Sequence, residues 1–490
     1  MTDYGKSLAP TVTDIPGLVL WELPVHGDNR GWFKENWQRE KMMAAGLPDF
    51  GPVQNNISFN DAVGTTRGIH AEPWDKWVSV ATGRIFGAWV DLREGPSFGA
   101  VFTAEIDPSR AIFVPRGVGN AYQTLEADTA YSYLVNDHWS PDAQYTFLNL
   151  ADESVAIDWP IPLDKAELSS KDAAHPRLSE VRPVSPAKVL VLGANGQLGQ
   201  ALRAEYSGSS HVEFVTREEL DLASAGLLTA RRWRDYSTII NAAAYTKVDH
   251  AETPEGRRDA WAANVTALTS LARITAENGI TLVHVSSDYV FDGTADHPYA
   301  ETDAVSPLGV YGQSKAAGDA IVQSTPRHYI LRTSWVIGEG NNFVRTMASL
   351  AERGIDPAVV SDQIGRLTFT SELARGIRHL LNTDAPYGVY NLTGAGQPRS
   401  WAEIAARVFA LGGYDPARVR SVTTDEYFSS ARGPVAPRPR WSVLDLSKIE
   451  TVGFSPQTAD ELLEAYLAVL CSEVGDSWRG ASADGWPGSE

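Results

Sequence analysis

Cysteine is almost absent from this sequence of 490 residues, which contains only Cys471. A single cysteine excludes a disulfide framework within the chain and fits a reducing compartment. No apolar run reaches the ~20 residues that a membrane-spanning helix needs, and the first residues lack the basic and apolar regions of a signal peptide. These features predict a soluble, cytoplasmic protein with no membrane partner.

Positive charge is also scarce, with 42 Lys and Arg against 61 Asp and Glu and a formal net charge of −19. Phosphate contacts need clustered Lys and Arg, so the composition argues against a nucleic-acid partner. An anionic small substrate is still compatible with this charge, because a few arginines in a cleft can hold a diphosphate.

The two halves of the chain have different periodicities. Residues 18–150 contain short segments rich in Val, Phe, Tyr and Trp that alternate with turn residues, as in 77–93 and 129–137. This pattern is typical of an antiparallel sandwich or barrel. After residue 187, apolar strand-like runs alternate with Ala-rich helical stretches, which predicts βαβ units around a parallel sheet.

The composition also predicts domain boundaries. The segment 173–187 has three prolines and no apolar period, which predicts a linker, and residues 474–490 are small and polar, which predicts a disordered tail. We therefore expect a multi-domain protein with an all-β domain over 1–172 and an α/β Rossmann-type domain with a small substrate-binding lobe over 188–473.

A glycine-rich turn follows the first strand of the second half, in KVLVLGANGQLG (188–199). Glycines at 193, 196 and 199 let backbone amides approach a pyrophosphate at the start of a helix, although the same spacing also occurs in turns without a ligand. The second strand ends in Thr216-Arg217, with no acid to bind a ribose 2′-hydroxyl. Arg217 could contact a 2′-phosphate, which favours NADPH, with NADH as the alternative.

Tyr311 and Lys315, in YGQSK, stand four residues apart, so on a helix they share a face. An ammonium beside a phenol favours the phenolate and makes tyrosine a usable proton donor, whereas a lone pair of this kind is often only a surface feature. Here Ser287, in SSDYVFDG, precedes the pair at the end of a strand. This order resembles the extended short-chain dehydrogenases.

The second half is similar to the dTDP-4-dehydrorhamnose reductase family over about 187–470, in seven segments that include NAAAYTKVDHAE, SSDYVFDG, LRTSWVIG, VSDQIGR and RPRWSVLD. The resemblance implies Ser287, Tyr311 and Lys315 as the catalytic residues. It implies a cofactor site that includes Gly193, Asn195, Gly196, Gln197, Leu198, Gly199, Ala242, Ala243 and Ala244. Substrate residues would be Asp288, Tyr289, Val290 and Trp335, with Arg345 or Arg366. Leu367 departs from the family, which has proline there.

The first half resembles dTDP-4-dehydrorhamnose 3,5-epimerase, a cupin-like β barrel, over about 13–180. The resemblance is carried by the segments DNRGWFKE, QNNISF, RGIHAEPWDKWV, GRIFGAWVDLR and LSSKD. It implies His70 as the base, Asp172 as its orienting carboxylate, Lys76 beside the enolate oxygen and Tyr133 as the acid, with Tyr131 on the same strand face as an alternative. Implied substrate residues are Arg30, Phe33, Glu35, Gln54, Asn56, Arg67, Asn120 and Trp139. No metal is expected, because the matching strand offers only His70.

Asn120 marks the main departure in this half, since GVGNAY (117–122) has asparagine where the epimerase family has histidine. An amide keeps hydrogen bonds but cannot carry a proton. The epimerase half could therefore be slower than its relatives or restricted to one carbon.

Together the resemblances imply a fused bifunctional enzyme that acts on a small-molecule nucleotide sugar. It would epimerise a dTDP-4-keto-6-deoxyhexose at C3 and C5 and then reduce C4 to give dTDP-L-rhamnose. Three alternatives remain: the same reactions on a UDP-sugar, a reductase with an impaired epimerase half, or a nucleotide-binding regulatory subunit resembling the β subunit of methionine adenosyltransferase. The cupin-like resemblance further implies a homodimer.

Overall fold

A computed structural model describes residues 5–140, 143–224 and 226–473. Contacts between Cα atoms divide the chain into two compact units, Met1–Pro186 and Ala187–Glu490. The predicted tail over 474–490 lies outside the described residues. Within the described residues, no helix is both long and apolar enough to cross a membrane.

The first unit consists of antiparallel strands and two short helices. Its elements are β1 (Ala9–Val12), β2 (Val19–Glu22), β3 (Val25–Asp28), β4 (Gly31–Lys34), α1 (Arg39–Ala44), β5 (Gln54–Asn60), β6 (Thr66–Ala71), β7 (Lys76–Thr82), β8 (Ile85–Asp91), β9 (Val101–Ile106), β10 (Arg110–Val114), β11 (Val118–Thr124), β12 (Thr129–Val135), β13 (Thr146–Phe147) and α2 (Ser170–Ala173). One sheet has the order β1-β2-β10-β7-β12-β5, a second has the order β13-β6-β11-β8-β9, and β3 and β4 form a hairpin.

The inner faces of the two sheets enclose the core of this unit. Trp89 of the second sheet packs in one apolar cluster with Val78 and Tyr131 of the first. On the edge strand β5 partly buried and exposed residues alternate, because successive side chains of a strand point to opposite faces. The register places Asn56 of β5 opposite Tyr133 of β12, so both side chains lie on the same face.

The second unit is an α/β fold with a small lobe. Its elements are β14 (Lys188–Leu192), α3 (Gln197–Glu205), β15 (Val212–Val215), β16 (Tyr236–Asn241), α4 (Pro254–Trp261), α5 (Ala267–Asn278), β17 (Thr281–Ser287), α6 (Val310–Gln323), β18 (His328–Thr333), β19 (Val336–Ile337), α7 (Phe343–Glu352), β20 (Ala358–Val360), β21 (Ile364–Gly365), β22 (Thr368–Phe369), α8 (Thr370–Asn382), β23 (Gly388–Asn391), β24 (Arg399–Ser400), α9 (Trp401–Leu411), β25 (Arg420–Val422), α10 (Thr424–Phe428), α11 (Ser447–Thr451) and α12 (Ala459–Glu473).

The central sheet of this unit is parallel, in the order β15-β14-β16-β17-β18-β23. Leu202 of α3 and Ile377 of α8 pack on one side, and Leu271 of α5 and Val322 of α6 pack in the cluster on the other. The first strand, β14, lies between β15 and β16, so the chain order reverses at its carboxyl end. Ligands of such sheets bind at this reversal.

A separate apolar cluster forms the small lobe from α7, α9 and α12, with members such as Met347, Phe409 and Leu463. The predicted fold class, an all-β barrel followed by a Rossmann-type parallel sheet with a small lobe, is confirmed.

The segment predicted as a linker differs from that description. It includes a short 3₁₀ helix over Leu178–Glu180, and the apolar side chains of Leu178, Val181 and Val184 pack with the core of the first unit. Prolines end regular structure here, but the apolar residues between them have no helix or strand period that would reveal this burial.

Candidate active sites

In the first unit, β6 and α2 bring His70 and Asp172 together, although they are 102 residues apart. The Nε2 atom of His70 lies 2.9 Å from Oδ1 of Asp172, and the Gly68 amide donates to Oδ2 at 3.4 Å. Burial raises the pKa of Asp172, but the hydrogen bond and charge of His70 and the Gly68 amide outweigh it, so the pKa lies below its usual value. The carboxylate is therefore ionised at neutral pH and suited to orient the ring.

His175 lies beside the same carboxylate oxygen, with its Nε2 atom 3.7 Å from Oδ1 of Asp172 and its ring centre 5.3 Å from that of His70. The side chain is buried, which lowers the pKa of His175, and a hydrogen bond with the backbone of Leu148 partly opposes that shift. Phe147 stacks on this ring at 4.8 Å between centroids and meets the His70 ring edge-on at 5.5 Å. The sequence analysis missed His175, because it lies in the segment interpreted as a linker.

Lys76, at the start of β7, is buried and forms an ion pair with Glu72. Its ammonium lies 5.8 Å from the ring centre of Tyr133. Tyr133 is half-buried, and its pKa is raised by burial and by the charge of Glu72. A cation, a phenol and the His70 imidazole thus line the inner faces of the two sheets.

Tyr131 has a different environment from Tyr133. It is fully buried, its ring stacks on Tyr122 at 4.2 Å, and burial raises its pKa well above the usual value. The hydroxyl group accepts a hydrogen bond from the Asn120 amide at 2.9 Å. Tyr133 is therefore the more accessible of the two tyrosines.

Asn120 lies opposite His70 in the β6–β11 register and opposite Trp89 of β8. Its Oδ1 accepts from the Trp89 indole at 2.8 Å, and its Nδ2 donates to Tyr131 of the other sheet. Both ends of the carboxamide are thus occupied by buried partners. Asn120 joins the two sheets at the position where the epimerase family has histidine.

The remaining predicted substrate residues lie on β4, β5, β6 and the loops beside them. Gln54 donates to Asn56 at 2.8 Å, and Arg67 donates to Asn60 at 3.3 Å. Arg30, Phe33 and Glu35 are exposed near the β3–β4 hairpin, and Trp139 is exposed later in the chain. Arg30 pairs with Asp28, and Glu35 pairs with Lys41. Exposed aromatic and cationic groups can stack on a base and bind phosphates.

In the second unit the glycine turn links β14 to α3. Gly193 has φ +78°, and a Cβ there would lie 2.8 Å from the Ala243 amide nitrogen. A Cβ on Gly199 would lie 2.3 Å from the Gly193 carbonyl oxygen, whereas one on Gly196 would meet only that oxygen, at 3.3 Å. Gly196 caps α3 with no side-chain hydrogen bond. The turn is tightly packed at Gly193 and Gly199 and open at Gly196, which fits a pyrophosphate bound at the N-terminus of α3.

Two cavities flank the carboxyl ends of the strands. The larger, about 570 Å³, is lined by twelve of the predicted residues: Gly196, Gln197, Leu198, Ala242, Ala243, Ala244, Ser287, Asp288, Tyr289, Tyr311, Lys315 and Trp335. The second, about 450 Å³, is lined by residues that include Gly193, Thr216, Arg217, Ala243 and Ala244. The predicted cofactor and catalytic residues therefore converge at the strand-order reversal.

Helix α6 places Tyr311 and Lys315 on the face that lines the larger cavity. The Lys315 ammonium donates to the Val285 carbonyl at 2.6 Å and lies 3.2 Å from Nε2 of His284. Burial lowers the pKa of Lys315 to about 8, although Asp319 acts in the opposite direction.

We expected the lysine to lower the pKa of Tyr311, and the structure differs. The pKa of Tyr311 is raised to about 12, mainly by burial and also by the charge of Asp288, and the hydrogen bond with Ser287 only partly opposes these effects. The Val285 carbonyl and His284 hold the ammonium instead. Tyr311 is therefore protonated at neutral pH, as a proton donor must be.

Not every predicted residue lines the larger cavity. Arg366 donates to the carbonyls of Gly396 and Leu444 and lines a separate cavity of about 210 Å³. Arg345 donates to the Tyr466 hydroxyl at 2.8 Å, and Val290 is buried in an apolar cluster. Asn195 is exposed at the glycine turn.

Arg438 supplies a cation to the larger cavity that the sequence analysis did not assign. Its guanidinium donates to Asp249 at 2.7 Å, and both side chains are largely buried. The segment RPRWSVLD contains this arginine and was part of the resemblance, but motif matching does not show which arginine turns inward.

Comparisons with known proteins assign the same two halves. The family model described as dTDP-4-dehydrorhamnose 3,5-epimerase matches residues 12–180, and the model described as RmlD substrate binding domain matches residues 187–471. A relative from Streptococcus pyogenes serotype M6, named "Protein RmlC homolog", is 51% identical over 193 residues, which cover 38% of this chain and 97% of the relative.

Relatives of the second half are similarly well covered. A dTDP-4-dehydrorhamnose reductase from Aggregatibacter actinomycetemcomitans is 36% identical over 291 residues, or 56% of this chain and 95% of that protein. The crystal structure of a Bacillus anthracis dTDP-4-dehydrorhamnose reductase in complex with NADP is 32% identical, with a TM-score of 0.53 and coverage of 58% of this chain and 99% of that one. The chain therefore belongs to the dTDP-4-dehydrorhamnose 3,5-epimerase family in its first unit and to the RmlD family in its second.

Proposed function

We propose that this chain is a bifunctional enzyme of dTDP-L-rhamnose synthesis. Its first unit epimerises dTDP-4-dehydro-6-deoxy-D-glucose at C3 and C5, and its second unit reduces the C4 ketone with NADPH. One observation carries the proposal: the two families match consecutive, nearly full-length segments of a single chain, each with its own catalytic groups. Nothing in the comparisons favours a regulatory subunit, an impaired epimerase or a UDP-sugar.

The first reaction removes a proton beside a ketone and returns one from the opposite face. His70 is half-buried with a ring nitrogen held at 2.9 Å by Asp172, which supports its role as the base. The ionised carboxylate orients the ring and stabilises the imidazolium that forms.

Lys76 and Tyr133 are placed for the rest of this reaction. The buried ammonium of Lys76 would stabilise negative charge on the enolate oxygen, since a cation acts strongly in a water-poor site. Tyr133, whose raised pKa keeps it protonated, would return the proton. Asn120 takes no part in proton transfer in this account, because its carboxamide is occupied by Trp89 and Tyr131.

In the second reaction Tyr311 would donate a proton to the C4 oxygen as negative charge develops there. Ser287, whose hydrogen bond lowers the pKa of Tyr311, would hold that oxygen, and Lys315 would add positive charge behind the tyrosine. NADPH, when bound, supplies the hydride. Arg438 and Trp335, both at the cavity, would contact the nucleotide sugar.

The open turn at Gly196 and the exposed Arg217 support NADPH as the cofactor, because a guanidinium beside the second cavity can bind a 2′-phosphate. We further propose a cytoplasmic homodimer. The single cysteine fits a reducing compartment, and the edge strand β5 exposes Ile57 and Phe59.

Solvent deuterium tests the epimerase half. Wild-type chain in D₂O with dTDP-4-dehydro-6-deoxy-D-glucose and no NADPH should incorporate deuterium at C3 and C5. Tyr133→Phe should impair this exchange far more than Tyr131→Phe. His70→Ala should lose it by about 10²–10⁴-fold, the usual contribution of a general base. His138→Ala, at an exposed histidine of the same unit, is the matched control; equal exchange in the two alanine variants would contradict the assignment.

A further inference from the structure

Two imidazole side chains meet around one carboxylate in the first unit. His70, Asp172 and His175 each offer a ligand atom, and these atoms lie within 4.8 Å of one another. The sequence predicts no metal, because β6 contributes only His70. The fold adds the other two groups from the segment that follows β13.

The distances in this cluster suit a small divalent ion. The two Nε2 atoms lie 2.9 and 3.7 Å from Oδ1 of Asp172. Tetrahedral zinc with bonds of about 2.0–2.1 Å keeps its ligand atoms about 3.3 Å apart. These two separations differ from that spacing by about 0.4 Å, and the ligand atoms of the two imidazoles lie within 4.8 Å of each other.

The two rings are also held in place by packing. Among the residues that the structure describes, no side chain donates a hydrogen bond to His175 or accepts one from it, and its side chain is only 5% exposed with Nε2 at 3.7 Å from Asp172. Phe147 contacts both imidazoles. His70 is 34% exposed, which leaves a path from the barrel interior and a position for water as fourth ligand.

We propose that His70, Asp172 and His175 form an inhibitory site for Zn²⁺. Zinc on Nε2 of His70 would replace the hydrogen bond to Asp172 and leave the ring proton on Nδ1, the nitrogen that must accept the substrate proton, so bound zinc and epimerisation exclude each other. This regulation rests on the proposed function of His70. His175 has no part in the proton transfers and serves only as the third ligand.

The test titrates ZnCl₂ into the full chain and follows deuterium entry at C3 and C5. Zinc should suppress exchange in wild type and in His138→Gln. His175→Gln should exchange within about twofold of wild type without zinc, and should need about tenfold or more zinc for half inhibition. Equal sensitivity of His175→Gln and wild type, or exchange unaffected by zinc, would overturn the proposal.

Calorimetry separates this proposal from the proposed function. If no deuterium enters even without zinc, the epimerase assignment fails, and zinc binding is then measured directly. One tight Zn²⁺ per chain, weakened in His175→Gln and unchanged in His138→Gln, supports the site; equal affinities in the three proteins refute it. If His175→Gln does not fold, anomalous diffraction from wild-type crystals grown with ZnCl₂ decides. A peak bonded to the three side chains is expected, and a peak elsewhere alone refutes the site.

Discussion

Replacing Asn120 with leucine tests whether this residue is a structural bridge between the two sheets of the first unit. Leucine has a similar shape but no polar atoms. The change removes the acceptor of the Trp89 indole, at 2.8 Å, and the donor to the Tyr131 hydroxyl, at 2.9 Å. Both partners are buried and would keep polar groups without a hydrogen bond.

The expected cost follows from those two orphaned groups. Each buried donor or acceptor left without a partner costs about 1–3 kcal/mol, and the added apolar burial of leucine returns part of this. We expect Asn120→Leu to lower the free energy of unfolding of the first unit by about 2–4 kcal/mol. Asn55→Leu is the control, because Asn55 is exposed and makes one hydrogen bond, with Ser132. It should cost about 1 kcal/mol, because only the Ser132 hydroxyl loses a partner.

Hydrogen exchange followed by mass spectrometry measures this loss within the first unit. For peptides from β8 and β12, which contain the partners of Asn120, the free energy of opening should be about 2–4 kcal/mol lower in Asn120→Leu than in wild type. A loss below about 1 kcal/mol, or one equal to that of Asn55→Leu, would refute the structural role. Asn120 would then be free to act in the chemistry.

Three further predictions concern the second unit. Tyr311→Phe should slow reduction by about 10²–10⁴-fold and leave deuterium exchange intact, whereas the control Tyr414→Phe, at a partly exposed tyrosine, should match wild type. Because burial lowers the pKa of Lys315 to about 8, its ammonium is lost as pH rises through that value. The reduction rate should fall there, and Lys315→Met should remove this step together with most of the rate; an unchanged pH profile would contradict the role. Arg217→Gln should raise the KM for NADPH about tenfold and leave that for NADH unchanged; parallel changes would argue against a 2′-phosphate contact.

The sequence predicted the fold class and grouped the residues of each candidate site because those features depend on local patterns. Tyr311 and Lys315 share a helix face whatever surrounds the helix, and Gly193 is required by the turn in which it stands. The matched motifs likewise placed His70 beside Asp172, a contact that spacing alone could not give.

Contacts between distant segments account for what the sequence did not predict. The partners of Asn120 come from β8 and β12. The sequence alone therefore showed an amide in place of a proton-carrying histidine, but not the two hydrogen bonds that this amide makes. His175 is close to Asp172 in the chain, and its ring lies between the carboxylate and Phe147, a residue from the distant strand β13. The sequence offered Arg345 or Arg366 near the substrate, whereas the packing of distant segments places Arg438 at the larger cavity.

The central claim is that one chain carries out epimerisation and reduction in sequence. The most direct test supplies dTDP-4-dehydro-6-deoxy-D-glucose and NADPH to the full chain and identifies the product sugar by NMR. We expect dTDP-L-rhamnose, with one NADPH oxidised per sugar and deuterium at C3 and C5 when the reaction runs in D₂O. No NADPH oxidation, or a product that keeps the D-gluco configuration at C3 and C5, would contradict it.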